Sequence, residues 1–390
     1  MAFRRSNVPG EDIRRGMEMV QKRRQLIEET PAGPLVYEYG VNRLAKSLHP
    51  GMIRARITNR KELGKDLYLL TFGSLREDGR FPFFRAGQFI TLSKQVGPSF
   101  LSRPYSIVSS PMEAMKGKLE IIVQRKGIFS SYLIDDAGVG EEIAISEPSG
   151  DFYHDDLRDP DHIAAIAGGS GITPFLSMMR AIHEGSEEFS LTLFYGIRSL
   201  DRLPFDPKEY EDEKIRIVIV LSEEKAEGYR HGFIDADLLK KELPEDCKIF
   251  MCGPDAMYEH VGKQLQMIGF DPSRIRRERN SIGDRKCEDI KAYVLKIRIR
   301  DEMFRISAFN NETIVTAMER AGIKAPVRCK SGVCGFCHSK VISGEYLVDS
   351  EDDFRRAADR KFNYIHPCCT YPLSDMVIEV PIFEIPEDQL

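Results

Sequence analysis

Residues 162–184 read HIAAIAGGSGITPFLSMMRAIHE. An apolar run, a glycine turn and a helix-periodic stretch follow one another without interruption. The run HIAAIA does not alternate, as expected of a strand buried on both faces. LTLFYGI (191–197) and IRIVIVLS (215–222) have the same character, and KIFMCGPDAMYEHVGKQLQMIGF (248–270) repeats the strand, turn and helix. Strands that alternate with helices specify a doubly wound α/β domain around a parallel sheet. Its pattern covers residues 156–283.

Upstream the texture is different. MIRARIT (52–58), LYLLTF (67–72), GQFITLS (87–93), YSIVSS (105–110), LEIIVQR (119–125) and EEIAIS (141–146) are short, alternating and separated by turn residues. Six such runs within 51–155 predict an antiparallel β-barrel. Residues 1–50 stand apart. Ile13, Met17, Val20 and Ile27 recur near helical spacing among charges, and Pro31 and Pro34 end the pattern. A second short helical stretch, VNRLAKSL (41–48), stops before Pro50. This extension reads as a helix packing on the main body or on a second copy, or as a docking arm for an electron acceptor.

Downstream, the polar stretch 284–291 reads as a linker. Residues 292–390 open with YVLKIRIRDEMFRISA (293–308), two alternating runs joined by a turn, which is a hairpin signal. ETIVTAMERAGI (312–323) follows as a helix, and VIEVPIF (377–383) supplies a late strand. The net charge is −5, which argues against a nucleic-acid partner. No apolar run approaches the ~18 residues of a membrane span. The N-terminus lacks the apolar core of a signal peptide. The expectation is a cytoplasmic protein.

Five of the eight cysteines fall within 41 residues, Cys329 to Cys369. Cys329, Cys334 and Cys337 are spaced C-x4-C-x2-C, and Cys368 follows after 30 intervening residues. This is the plant-type [2Fe–2S] spacing. Two irons need four thiolates, three of them from one loop that wraps the cluster. Gly332 and Gly335 let that loop close and aim N–H groups at sulfur. Zinc sites pair C-x2-4-C with a second close pair, which the triple does not resemble. His338 directly follows Cys337, so the C-x-H pair of a Rieske centre is missing.

Residues 292–390 resemble a plant-type ferredoxin, an α+β, β-grasp-like domain whose fourth ligand lies in a Cys-x-x-x-Pro context. Cys368 and Pro372 match that context, and Cys369 does not. Lys330 stands where the family often has Arg, in a loop expected to face solvent.

In the barrel region Arg103-Pro104-Tyr105-Ser106 is read as leading a strand. An Arg can grip a flavin phosphate, an aromatic can cover the isoalloxazine, and a small hydroxyl can reach its N5 edge. GIFSSYL, with Gly127, Ser130 and Ser131, opens a short helix whose free N–H groups suit a pyrophosphate. Together with GQF (87–89) and PSGDF (148–152), these stretches resemble the ferredoxin–NADP reductase superfamily in its usual order, over residues 51–283. The resemblance implies that Arg103, Tyr105, Ser106 and Ser130 bind flavin. FAD is favoured over FMN, although oxygenase-reductase components of this modular order include FMN users.

Gly168-Gly169-Ser170-Gly171-Ile172-Thr173-Pro174 joins a strand to a helix, where a pyrophosphate can sit. It is not the G-x-G-x-x-G fingerprint. In the resembled superfamily, Cys252-Gly253-Pro254 faces the nicotinamide, Thr173 lies near the flavin–nicotinamide contact, and Tyr195 and Arg198 line the dinucleotide groove. Relatives place an acid, then an aromatic two positions on, after the last strand. Here Glu278 is followed by Arg279 and Asn280, so the aromatic is missing. Ser222 is followed by Glu223 and Glu224 rather than Arg, which favours NADH over NADPH. Arg198 and Arg202 are the opposing cations.

The pieces imply one path: two electrons from NAD(P)H to the flavin, then single electrons to the cluster and on to a separate acceptor protein. Tyr105, Ser106, Thr173 and Cys252 would be the groups at the reacting atoms. The acceptor would be an oxygenase or another metalloenzyme component. The same chain running backwards would be a ferredoxin:NAD+ oxidoreductase, and an electron carrier built into a larger complex is the reading from a different class.

Overall fold

The computed structural model describes residues 10–29, 40, 41, 44, 45, 51–279 and 281–382. Helix α1 (Gly10–Glu29) belongs to a unit of its own, Met1–Lys46. Its side chains are exposed, including Ile13, Met17, Val20 and Ile27. The second helical stretch expected at 41–48 lies mostly outside the described residues.

In the second unit, six strands form a curled antiparallel sheet: β1 (Met52–Gly64), β2 (Leu67–Ser74), β3 (Phe89–Val96), β4 (Ser99–Ser106), β5 (Lys118–Gln124) and β6 (Glu142–Ser146). Their order is β4-β3-β6-β1-β2-β5. An isolated bridge from Ile107 to Ile121 on β5 brings the two ends of the sheet together. Ile57, Leu70, Phe72, Ile90, Leu92 and Ile145 fill its interior from alternate positions. The fourth strand differs from the expected one. It is Ser99–Ser106, not YSIVSS, so Arg103-Pro104-Tyr105-Ser106 ends a strand rather than leading one. The turn at Gly97-Pro98 sets the hairpin register, Phe89↔Ser106 through Val96↔Ser99. Pro104 is tolerated because β4 lies at the edge and owes no N–H to a second neighbour.

The next sheet is wholly parallel: β7 (His162–Gly168), β8 (Ser190–Ile197), β9 (Ile215–Leu221), β10 (Arg230–His231), β11 (Lys248–Cys252) and β12 (Ile275–Arg277). The order β10-β9-β8-β7-β11-β12 runs outward one way from β7, then returns to begin on its other side. Along β7, Ile163 and Ala165 enter one core and Ala164 and Ile166 the other, which is why the run does not alternate. The first of these cores also takes Val108, Ile122 and Phe152, so the parallel sheet packs on the barrel. Asp159, just before β7, ties β11 and β12 of the parallel sheet together. Its fully buried carboxylate meets Lys248 Nζ at 2.7 Å and Arg276 Nη2 at 2.9 Å. Removing one partner of such a buried ion pair costs about 3–5 kcal/mol.

Stretch 284–291 has neither helix nor strand. Beyond it, β13 (Ala292–Ile299) and β14 (Glu302–Phe309) form the expected hairpin. The strand β15 (Ser339–Ser343) was not foreseen, and three two-residue strands follow it: β16 (Tyr346–Leu347), β17 (Tyr364–Ile365) and β18 (Tyr371–Pro372). The late strand β19 (Met376–Glu379) pairs parallel with β13 and antiparallel with β15. The helix after the hairpin (Ile314–Arg320) is capped by the Thr313 side chain. It lays Ile314, Val315 and Met318 on Leu295, Ile297 and Ile378. A helix crossing a mixed sheet in this way is the β-grasp arrangement. Among the described residues no helix is long and apolar enough to cross a membrane.

Candidate functional site

A cavity of about 1330 Å³ opens where the order of the parallel sheet reverses, outside the carboxyl ends of β7 and β11. Gly168, Gly169, Gly171, Thr173, Cys252, Gly253 and Pro254 all line it. The two turns touch. A Cβ on Gly171 would meet the Cys252 carbonyl oxygen at 2.0 Å, so only glycine lets the first turn lie against the second. Tyr195 is buried behind the first turn, and its hydroxyl donates to Gly169 O at 2.9 Å. Thr173 Oγ1 donates to Ser170 O, and the helix Thr173–His183 starts there.

The barrel contributes Pro104, Tyr105 and Ser106 to the same cavity. Ser106 and Cys252 both bond the Glu278 carboxylate, the thiol donating to Oε2 at 3.0 Å. Burial raises the Glu278 carboxyl to about 7, against the downward pull of those two bonds and with a further push from Asp151. Burial, then the Glu278 charge, push the Cys252 thiol well above its usual range, so it stays a neutral donor. Tyr258 anchors this acid: its hydroxyl donates to Glu278 O at 2.5 Å and accepts from Gly253 N at 3.1 Å. Glu278 stands out in the sequence for its place after the last strand. Tyr258 carries no sequence signal, because only the packing of its helix turns it toward β12.

Other residues singled out in the sequence stand away from the cavity lining. Arg103 Nη1 donates to both Glu319 carboxylate oxygens, at 2.9 and 2.8 Å. Ser130 Oγ accepts from Lys126 N and Gly127 N, each at 2.9 Å, and so closes the turn that opens Ile128–Ser131. Lys126 reaches the cavity, whereas Gly127, Ser130 and Ser131 do not line it.

On the groove side, Arg198 and Arg202 line the cavity with Ser222. Arg198 Nε lies 3.4 Å from Glu223 Oε1. Glu224 is spent on a backbone contact, accepting from Leu200 N at 2.8 Å.

The cysteine loop closes the cavity from the third side, where Cys329, Ser331, Val333 and Cys334 line it. Cys337 Sγ and Cys368 Sγ are 3.4 Å apart, Cys334 contacts Cys329, and Cys368 also reaches Cys329. Thiols spread in two linked pairs suit a group with two irons. N–H groups of Ser331 and Cys334 aim at Cys329 Sγ, and that of Phe336 aims at Cys334 Sγ. Gly332 sits at φ +77, where a Cβ would meet Asp352 O at 2.9 Å and Cys369 Sγ at 3.0 Å. Cys369 thus packs behind the loop, its thiol donating to His366 O. Lys330 corrects an expectation. It is 4% exposed rather than solvent-facing, because Glu319 lies 2.8 Å from its Nζ.

Three family models match successive parts of the chain: the oxidoreductase FAD-binding domain over 54–154, the oxidoreductase NAD-binding domain over 165–263, and the 2Fe-2S iron-sulfur cluster binding domain over 297–373. Among curated proteins, the chain is 29% identical over 322 residues to a component of the 1,2-phenylacetyl-CoA epoxidase of Escherichia coli, covering 76% of this chain and 88% of that one. It is 26% identical over 325 residues to the glycine betaine monooxygenase reductase subunit of Chromohalobacter salexigens, covering 76% and 87%. Against the vanillate O-demethylase oxidoreductase of a Pseudomonas species it is 26% identical over 332 residues, covering 82% and 96%. Among solved structures, phthalate dioxygenase reductase aligns with a TM-score of 0.62 at 23% identity, over 85% of this chain and 98% of that one.

Proposed function

Because the chain belongs to the ferredoxin–NADP reductase superfamily, as an NAD(P)H oxidoreductase with FAD-binding, NAD-binding and C-terminal [2Fe–2S] domains, we propose that it is the reductase component of an oxygenase system and draws its electrons from NADH. One observation carries the route. The barrel's Tyr105 and Ser106, the Thr173 and Cys252 turns and the cluster loop all line a single cavity.

We assign the flavin ring to Tyr105 and Ser106, the nicotinamide to Thr173 and the Cys252 turn, and the cluster to Cys329, Cys334, Cys337 and Cys368. When bound, the flavin accepts two electrons together and the cluster passes them on singly. The protein's part is orientation. Ser106 and Cys252 share the Glu278 carboxylate, so one acid from the α/β domain fixes a hydroxyl from the barrel and a thiol from its own domain at the meeting point. At about 7, that carboxyl can hold or release a proton near neutral pH. Arg103, Ser130 and the Gly127 turn support the remainder of the flavin from outside the cavity lining.

NADH follows from the groove. Glu223 offsets Arg198 and would face a 2′-phosphate with like charge. The oxygenase acceptor follows from the relatives, three of which are named for monooxygenase, epoxidase or demethylase systems. Anaerobic rapid mixing of the loaded protein with NADH tests the route. Flavin bleaching followed by cluster reduction is expected, and a cluster that stays oxidised would refute it. Capture with the reduced protein tests the acceptor, and recovery of a non-oxygenase partner would refute that part.

A further inference from the structure

The cluster loop is tied to the barrel beside the cavity as well as across it, through one carboxylate. Glu319 is on the helix Ile314–Arg320, and its side chain is 2% exposed. Its Oε1 accepts from Ser102 N at 3.1 Å and its two oxygens from Arg103 Nη1 at 2.9 and 2.8 Å. Its Oε2 accepts from Lys330 Nζ at 2.8 Å. Ser102 and Arg103 lead directly into Pro104-Tyr105-Ser106, and Lys330 directly follows Cys329. A single buried acid therefore joins the strand that carries the flavin-side residues to the residue next to a cluster ligand.

The surroundings are built for close docking. Thr91 Oγ1 donates to Arg328 O at 2.9 Å, and Arg328 Nη2 meets Glu147 at 2.7 Å. Just past the helix, a Cβ on Gly322 would meet Pro98 O at 2.7 Å, so the helix end lies against the β3–β4 turn. Buried ion pairs gain little stability over apolar packing of the same shape, and their best-attested use is to fix register. Lys330 also holds φ +53, a backbone state a non-glycine residue keeps only when its surroundings impose it.

We propose that Glu319 is a positioning residue that pins the cluster loop in register with the flavin site, so that flavin-to-cluster electron transfer depends on it while flavin reduction by NADH does not. The proposal rests on the intramolecular route given above. With both groups bound, the two electrons of the reduced flavin would leave one at a time, each taking one cluster iron from Fe(III) to Fe(II); the acceptor protein would reoxidise the cluster between the two transfers, and the one proton gained with the hydride would leave to solvent over the pair.

The test uses the full chain loaded with flavin and cluster, as wild type, as Glu319→Gln, and as the double variant Glu319→Gln/Lys330→Met. The double variant removes the buried cation that the single change would orphan. Three quantities are read: ferricyanide reduction by NADH, the rate of cluster reduction after anaerobic mixing with NADH, and hydrogen–deuterium exchange over 99–106 and 328–333. The expected result is unchanged ferricyanide reduction, an unchanged cluster EPR signal after chemical reduction, and faster exchange in both segments. Flavin-to-cluster transfer should slow by roughly tenfold or more, because misplacement on the order of 1 Å is costly to a reacting pair. Two results would overturn the proposal: a loaded variant that reduces its cluster at the wild-type rate, or loss of the cluster or the fold in both variants, which would mark Glu319 as a purely structural residue. A wild-type cluster that NADH cannot reduce would sink the intramolecular route itself, and the pin with it.

Discussion

Cys252 Sγ donates to Glu278 Oε2 across 3.0 Å, and Ser106 of the barrel bonds the same carboxylate. Two domains thus share one acid at the cavity where their motifs meet. Its carboxyl is raised to about 7, first by burial. The folded chain therefore keeps a proton that an unfolded glutamate releases near its ordinary value of about 4.3. Stability tied to that proton is fully present below the unfolded value and is lost as pH rises through the folded one. From pH 5 to 8 the urea midpoint of the wild type should fall relative to that of Glu278→Gln. Parallel midpoints across that range would show that the carboxyl is not raised.

The cysteine loop predicts a division of roles among neighbouring thiols. Cys334→Ser should abolish the visible absorption and reduced-state EPR signal of the cluster while flavin stays bound. Cys369→Ser should leave a normal cluster, since its thiol packs behind Gly332 and donates to His366 O. Its cost should be a modest loss of stability, about 1 kcal/mol. Loss of the cluster in a folded Cys369→Ser protein would mean that Cys369, not Cys368, is the fourth ligand.

Gly171→Ala places a methyl against the backbone of Cys252, with 2.0 Å to its carbonyl oxygen and 2.8 Å to Gly253 N. Neither neighbour is a side chain that can swing aside. The two turns must part, at a cost of about 1–3 kcal/mol for overpacking. Expressed in NADH binding, that range is a KM increase of roughly fivefold to 140-fold. Steady-state kinetics with ferricyanide would read it, and an unchanged KM would show that the turns do not form one nicotinamide site.

The Arg198–Glu223 pair, 3.4 Å apart, predicts cofactor choice. The value of kcat/KM should favour NADH over NADPH by about tenfold, or 1.4 kcal/mol. Glu223→Arg should shift that ratio toward NADPH by freeing Arg198 and adding a cation. A wild-type preference for NADPH would place control with Arg198 or Arg202.

What the sequence determined by itself is what short stretches of chain enforce. Three cysteines lie within nine residues, Cys329 to Cys337, so their spacing alone constrains the group they can hold. The unbroken apolar run at 163–167 required a strand covered on both faces, and the glycines after it required a tight turn into a helix. Tertiary structure decided the rest. YSIVSS has the composition of a strand, yet the hairpin turn at Gly97-Pro98 paired Ser99–Ser106 with β3 instead. Lys330 has the composition of a solvated loop residue, and it is buried because Glu319, eleven residues earlier, is held under the barrel by Arg103, 216 residues earlier still. Such contacts leave no periodicity in the chain. They exist only once separate cores have formed and docked, when a buried charge must find its partner wherever the packing puts it.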